Sequence, residues 1–394
     1  MKELNCDFHI VGSALTGLLT AYSLQKQGYE IIISEKKLFN LRAVLKDSRT
    51  TAVAEGSKVY LDQIGLWKKL KPFAEPIKLI EVIDQTAKSK IKFNNFIKNT
   101  NLGYIIKNSI LINILLNDLK QKKNVKFLFQ TEIKRISYNK SKIVSHSKGF
   151  KVSSNLLIAS DGKQSSVRKI MKTKRFVKKY NEKAIVINFC HKKPHNNVAY
   201  EFFYKSGPLA ILPMQKEKNS FQSALIWSNK AKIIDFFNSS KINQEYIIEI
   251  LNEKLSSNIG KVKKINSKQT FPLSAHINER FYEERLVYVG DAAHSIHPIA
   301  GQGWNLGIRD IRSLSNLIKK NADMKKNLDA KKLCKSYNDE CYFDAYRLYQ
   351  ITDKLDWAFK KNQTHFRFLR SIGFSIINKN PSIKKRIVNF AMGI

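Results

Sequence analysis

Residues 287–310 read VYVGDAAHSIHPIAGQGWNLGIRD. Gly290 and Asp291 close a short apolar run. An acid at the end of a strand is placed to accept charged hydrogen bonds from a chain of hydroxyls. Pro298 sets a bend, and Gly301, Gln302 and Gly303 open a helix running through NLGIRDIRSLSNLI. A helix start stripped of side chains presents bare amides to something electron-rich. A second such start lies near the N terminus, where Gly12, Ala14 and Gly17 stand between a buried strand and a helix. That is the spacing of a dinucleotide pyrophosphate loop with Ala in place of the middle glycine. Gly12 makes the tight turn, Gly17 lets the helix pack closely on the strand, and the helix N-terminus faces the phosphates. Glu35 ends the next strand, where an acid meets ribose hydroxyls.

The stretch NLLIASDGKQSSVR (155–168) is a buried strand followed by Asp161-Gly162. Alone it is a strand ending in a common turn dipeptide. His294 and His297 are three apart, but no third ligand stands at a suitable spacing and Pro298 breaks a helical presentation. No metal is expected, and both side chains are expected to pack or hydrogen-bond within the loop. Two helix starts and a polyol-binding acid describe a long ligand, with phosphates at one end and a charge-accepting ring at the other. FAD fits that description.

The elements that must position these residues follow from periodicity. FHIVG is a short buried strand, Leu15 to Gln27 carry apolar side chains at helical spacing, Gly28 ends the helix, and YEIIISE is a second strand. This is a βαβ unit and implies a parallel sheet. Residues 176–274 hold strand-like runs such as AIVINFC, NVAYEFFY and PLAILPM. From about 313 the pattern is helical, as in CYFDAYRLYQITDKLDWAF. The expected fold is α/β: a Rossmann-like dinucleotide-binding domain (1–70, 100–175 and 275–312), an inserted antiparallel-sheet domain (71–99 and 176–274) and a helical C-terminal region (313–394).

Composition narrows the partners. The 394 residues carry a formal charge of +38, with 43% hydrophobic residues, enough for a sizeable core. The lysines are spread along the chain, and nucleic-acid-binding signatures are missing, so no nucleic acid is expected. A basic surface resting on anionic lipid fits better. The four Cys are scattered without a CxxC pair, as for free thiols in a reducing cytoplasm. No apolar run reaches the length of a spanning helix. The expected location is cytoplasmic, peripheral on the inner face of the membrane.

GDAAHSIHPIAGQGWNLGIRD resembles the GD motif of the aromatic-ring hydroxylase flavoproteins, and SDGKQSSVR resembles their DG motif. DSRTTAVAEGSKVYLDQIGLW (47–67), LGYIIKNSILINILL (102–116), GPLAILPM (207–214) and DKLDWAF (353–359) resemble the ubiquinone-biosynthesis hydroxylase branch of these group A flavoprotein monooxygenases. The resemblance covers nearly the whole chain, with Ala14 and Trp304 as departures. It implies that Gly12, Ala14, Gly17 and Glu35 hold the ADP half of FAD, that Arg49 and Asn108 flank the flavin or its pyrophosphate, and that Asp161 supports the cofactor while Arg168 supports the DG loop. Asp291 then binds the ribityl chain. Pro298, Gly301, Gln302 and Gly303 line the isoalloxazine as the catalytic set, with Asn305 close by.

The resemblance also implies the reaction. NADH or NADPH visits transiently and reduces FAD, the reduced flavin captures molecular oxygen as a hydroperoxide, and the ring of a polyprenyl phenol is hydroxylated in ubiquinone biosynthesis. Amides at 301–303 would stabilise the anionic reduced ring, and an apolar wall would exclude water. Phe202, Phe203, Leu209, Ile211 and Leu212 are candidates for that wall. Tyr204 and His276 are candidates to orient the phenol, and Trp304 faces the flavin, the substrate or the core. The membrane and other ubiquinone-biosynthesis enzymes are the expected partners. A related flavoprotein acting on another aromatic or isoprenoid lipid is the alternative. The WxWxIP segment of halogenases is absent, with Trp227 and Trp357 standing alone. A protein that keeps the fold without the chemistry is disfavoured by the cofactor motifs.

Overall fold

A computed structural model describes residues 2–38, 40, 44, 46–97, 100–139, 141–217, 220–239, 241–320 and 329–394. Along the chain come β1 (Lys2–Val11), α1 (Leu15–Gln25), β2 (Ile31–Glu35), β3 (Thr50–Ala54), α2 (Glu55–Gln63), α3 (Trp67–Leu70), β4 (Glu75–Ile77), β5 (Leu79–Asp84) and β6 (Ser89–Asn94). Then follow β7 (Gly103–Lys107), α4 (Asn108–Lys120), β8 (Val125–Phe129), β9 (Arg135–Tyr138), β10 (Ile143–His146), β11 (Phe150–Ala159) and α5 (Ser166–Ile170). The middle holds β12 (Arg175–His191), β13 (Val198–Tyr204), β14 (Gly207–Glu217), β15 (Ser220–Lys230), α6 (Ala231–Asn238), α7 (Gln244–Ile259) and β16 (Val262–Asn278). The return is β17 (Tyr282–Glu283), β18 (Leu286–Tyr288) and β19 (His294–Ser295). The helices α8 (Gln302–Lys320), α9 (Ala330–Lys360), α10 (Thr364–Lys379) and α11 (Pro381–Met392) finish the chain.

The first sheet has the order β17-β18-β11-β1-β2-β8, with β10 and β9 added beside β11. β1 runs parallel to β11 and β2, and β2 runs parallel to β8. Covered by helices, the inner strands are apolar at Phe8, Ile10 and Val11, with the buried His9 between them held by Ser34 and Ser145, and at Ile31 to Ile33. The α/β Rossmann-like architecture is therefore present, with α1 and α8 packed in one core with this sheet.

The second sheet has the order β19-β16-β12-β15-β14-β13-β5-β6 and is antiparallel except where β5 meets β13. One face carries Ile185, Ile187, Phe202, Leu209, Ile211 and Leu225 beneath α6 and α7. The other face carries Ala199, Phe203 and Leu212, which pack with residues of the first unit and of the C-terminal helices. The segment 71–99, expected to belong wholly to this unit, divides. β5 and β6 extend the large sheet, whereas β4 pairs with β7 in a small sheet of order β3-β7-β4.

Candidate flavin site

The N-terminal loop is built from close approaches. Gly12 has φ +106°, and a Cβ there would lie 2.6 Å from the Ser160 carbonyl oxygen. A Cβ on Gly17 would lie 1.9 Å from the Gly12 oxygen. These glycines bring α1, β1 and the end of β11 into contact, leaving the first amides of α1 without intrahelical partners. Ala14 is the N-cap, extended and exposed, with no side-chain cap. Its exposure leaves the added methyl group uncrowded by the fold, so the departure from glycine costs little. Glu35 accepts from the Ser13 amide at 3.0 Å and its hydroxyl at 3.2 Å, and from the Lys37 amide at 3.1 Å. The acid therefore holds the glycine loop as well as standing at the strand end.

Asp161 Oδ2 accepts from the Ser166 amide at 2.7 Å and the Val167 amide at 3.2 Å, which caps the short helix α5. Its Oδ1 is buried without a partner. Arg168 is buried and donates to the Ala292 carbonyl at 2.9 Å and the Lys163 carbonyl at 2.7 Å. It thereby ties the DG loop to the GD loop.

The GD loop is pinned from below. Gly290 has φ +59°, and a Cβ there would meet the Thr16 side chain at 2.9 Å. Its amide donates to Asp310 Oδ2 at 2.9 Å, and the same oxygen lies 2.6 Å from His294 Nε2. Asp310 and His294 are both 1% exposed. Burial pulls the His294 imidazole down, but the Asp310 carboxylate outweighs it and raises its pKa above the ordinary value. Asp310 went unremarked in the sequence, because an acid on an amphipathic helix reads as surface. The signal was its place in NLGIRD, one turn past Leu306, on the buried face. His297 is buried against the Tyr180 ring, centroids 4.8 Å apart, with Asp356 at 3.6 Å. Lys360 bridges Glu182 and Asp356 at 2.6 and 2.7 Å. The positive charge those acids require is supplied there by the protein.

Asp291 itself is exposed and makes no hydrogen bond among the described residues. The protein around it still withholds bulk water, so desolvation pushes its carboxyl up, against the pull of His294, Lys163 and Arg49. Arg49 is exposed, paired with Asp47 at 2.7 Å, and its guanidinium lies 5.4 Å from the Phe271 ring centre. Asn108 is buried and accepts from Thr51 Oγ1 at 2.5 Å.

The loop before α8 is fixed by its neighbours. Pro298 precedes a short 3-10 turn, Ile299–Gly301, in which Gly301 has φ +60°. A Cβ on Gly301 would lie 3.2 Å from Ala52 Cβ. Gln302 Nε2 donates to the Ala391 carbonyl at 3.1 Å. Asn305 accepts from the Ala54 amide and donates to the Ala52 carbonyl, both at 2.8 Å, and so sews α8 to β3. Among the described residues, Gly303 has only Ile296 near its missing Cβ, at 4.0 Å, so no contact among them requires glycine there. Close approach of a ligand would.

The wall candidates divide by strand alternation. Phe203 and Leu212 lie on the face toward this loop, Phe203 in one cluster with Ile299. Phe202, Leu209, Ile211 and Tyr204 point to the opposite face, where Tyr204 packs under Lys254 at 5.0 Å. The expectation for Tyr204 is corrected: residues one apart on a strand face opposite ways. Of the three positions open to Trp304, the structure has the core one. The side chain packs on the core of the flavin unit, with its indole nitrogen buried. His276 lies under the GD loop, 3.4 Å from Arg168, and burial with Arg168 beside it pushes its pKa down to about 2.

The FAD binding domain family matches residues 5–351. The chain belongs to that family. It is a flavoprotein of the aromatic monooxygenase type, and it takes FAD. Among curated relatives it is 26% identical over 389 residues to the ubiquinone hydroxylase UbiL of Rhodospirillum rubrum, covering 98% of this chain and 89% of that one. It is 25% identical over 439 residues to the mouse (Mus musculus) ubiquinone biosynthesis monooxygenase COQ6, covering 98% and 90%. Among solved structures it matches p-nitrophenol 4-monooxygenase PnpA from Pseudomonas putida with TM-score 0.78 at 16% identity, covering 98% and 97%.

The residues present fit FAD. The free amides at the start of α1 suit its pyrophosphate, the unpartnered Asp291 suits its ribityl hydroxyls, and the bare approach at Gly303 suits a flat ring.

Proposed function

We propose that this flavoprotein hydroxylates the aromatic ring of a polyprenyl phenol in ubiquinone biosynthesis, using NADH or NADPH and molecular oxygen. The observation that carries the reading is the apolar sheet face of Phe203 and Leu212 opposite the 298–303 loop. It occurs in a chain resembling ubiquinone hydroxylases along 98% of its length. Bound FAD supplies electron transfer and oxygen activation. The protein's part is to hold and shield. Asp291 takes the ribityl hydroxyls, Gly12, Ala14, Gly17 and Glu35 the ADP half, and the 301–303 amides offer donors where negative charge develops on the ring. Arg49 and Asn108 flank the flavin or its pyrophosphate, and Asp161 supports the cofactor through its free oxygen. Ile299, Phe203 and Leu212 keep water from the reacting atoms. A cleft of about 560 Å³ lined by Asp47, Arg49, Lys268 and Phe271 offers cations to the reductant's phosphates.

Deleting the gene and profiling quinone intermediates by mass spectrometry tests this. A polyprenyl phenol lacking one hydroxyl should accumulate. Normal ubiquinone, with no paralogue in place, would sink the reading.

The same proposal includes lipid contact. No helix among the described residues is long and apolar enough to cross a membrane. The outward stripe of α10 is nevertheless apolar, with Phe368 65% and Leu369 59% exposed and Ile372 and Ile376 beside them. From Trp357 to Ile394 the sequence has eight Lys or Arg and no Asp or Glu. An apolar helix face in a basic field fits the surface of an anionic phospholipid bilayer, the source of a prenylated substrate. Full burial of two such side chains is worth about 3 kcal/mol or more. The double substitution Phe368→Ser with Leu369→Ser is therefore expected to weaken binding to phosphatidylglycerol vesicles about a hundredfold. Unchanged co-sedimentation would remove α10 as the docking face.

A further inference from the structure

On β13, Ala199, Glu201 and Phe203 share the face turned away from α6 and α7. Ala199 packs in a cluster with Ala52 and Leu212, and Phe203 packs with Ile299. Ala52 is also the residue that Gly301 abuts. Glu201 thus stands between the two apolar clusters that meet the flavin loop, on the proposed substrate wall. Its neighbours across the sheet are Val82 and Ala210, both apolar. No described side chain hydrogen-bonds or ion-pairs with its carboxyl, and the residue is only partly covered. A carboxyl in such a place is a poor structural element. It has cost desolvation and gained no partner.

We propose that Glu201 is the catalytic base that accepts the phenolic proton of the substrate. This rests on the phenol reading above. As the ring attacks the transferable oxygen, the bond joining that oxygen to its donor breaks and leaves its electron pair on the donor, which is thereby reduced, and the phenol O–H bond breaks. The proton goes to Glu201, and the electron pair stays on the substrate oxygen and strengthens the ring as a nucleophile. After the new C–O bond forms, the tetrahedral ring carbon loses its hydrogen as a proton to solvent. Glu201 returns its own proton to the substrate oxygen, which restores the aromatic phenol. No oxidant beyond that of the hydroxylation itself is required. Desolvation alone pushes the Glu201 pKa up to about 8. No charged group contributes to that shift. A base so raised is closer in strength to a phenol than an ordinary carboxylate is.

The test uses holoenzyme with 2-farnesylphenol. In single turnover from reduced enzyme, hydroxylation by the wild type should rise as pH passes about 8, because Glu201 is protonated below that value and ionised above it. Glu201→Gln should lose this limb and slow hydroxylation about a hundredfold, the lower end of the range for general-base catalysis. Flavin content and reduction by NADH or NADPH should stay unchanged, and Glu201→Asp should recover part of the limb. A Gln variant with the wild-type rate and pH profile overturns the proposal. Infrared difference spectra on adding 2-farnesylphenol to oxidised holoenzyme above about pH 8 separate the two readings. If the wild type binds this phenol and shifts a carboxylate band missing from Glu201→Gln, yet forms no product, the hydroxylase reading fails and the contact stands. If no such band shifts, the assignment of Glu201 fails.

Discussion

Replacing Asp310 by Ala is expected to lower the stability of the flavin unit by about 3–5 kcal/mol, the cost of leaving one member of a buried ion pair alone. Asp310 Oδ2 holds both the Gly290 amide and His294. Its loss orphans a backbone donor and an imidazole that are both buried. The pH dependence should carry the same signature. The His294 pKa is raised in the folded protein, so the pair's contribution is complete below the unfolded value of about 6.5 and is lost as pH rises through the folded value. Urea unfolding at several pH values measures both. The gap between wild type and variant should be widest in mild acid and narrow in alkali. A gap below about 1 kcal/mol, or one that does not change with pH, would show that the pair does not hold the loop.

Asp291→Ala should leave stability without FAD nearly unchanged, because the side chain is exposed and has no protein hydrogen bond among the described residues. Its effect should fall on the cofactor. A carboxylate accepting from hydroxyls makes charge-assisted bonds worth about 1.5–3 kcal/mol each. FAD affinity is therefore expected to fall at least about tenfold. Flavin absorbance of the purified variant and fluorescence titration of the apoprotein read the effect directly. Full occupancy with unchanged affinity would take the ribityl role from this residue. The pair of variants separates two jobs in one loop: Asp310 shapes it, and Asp291 faces the ligand.

Much of this was legible locally. Gly12 and Gly17 announce a turn and a close helix contact by spacing alone, and the structure shows what a methyl group would strike at each. β1, α1 and β2 follow from apolar runs and a helical period. The missed features depend on partners far along the chain. Asp310 looks like a helix-surface acid until the GD loop folds over it. Tyr204 and Phe203 look alike in an aromatic run, and only the pairing of β13 with β14 decides which one faces the flavin loop. Glu201 sits in the same run and was passed over, since a charge in a strand is ordinarily on a wet face. The division of 71–99 was hidden too, because β4 is three residues long and declares its sheet only by pairing with β7.

Asn305 joins α8 to Ala52 and Ala54, partners 253 and 251 residues away along the chain, and Gln302 reaches forward to Ala391. The flavin loop is therefore a product of high contact order, and its closure entropy must be met before any local reward. During synthesis the N-terminal glycine loop emerges early, while the ring end cannot be braced until residue 391 has left the ribosome. A nascent chain would thus be able to grip the nucleotide end of FAD long before it can shelter the reactive end.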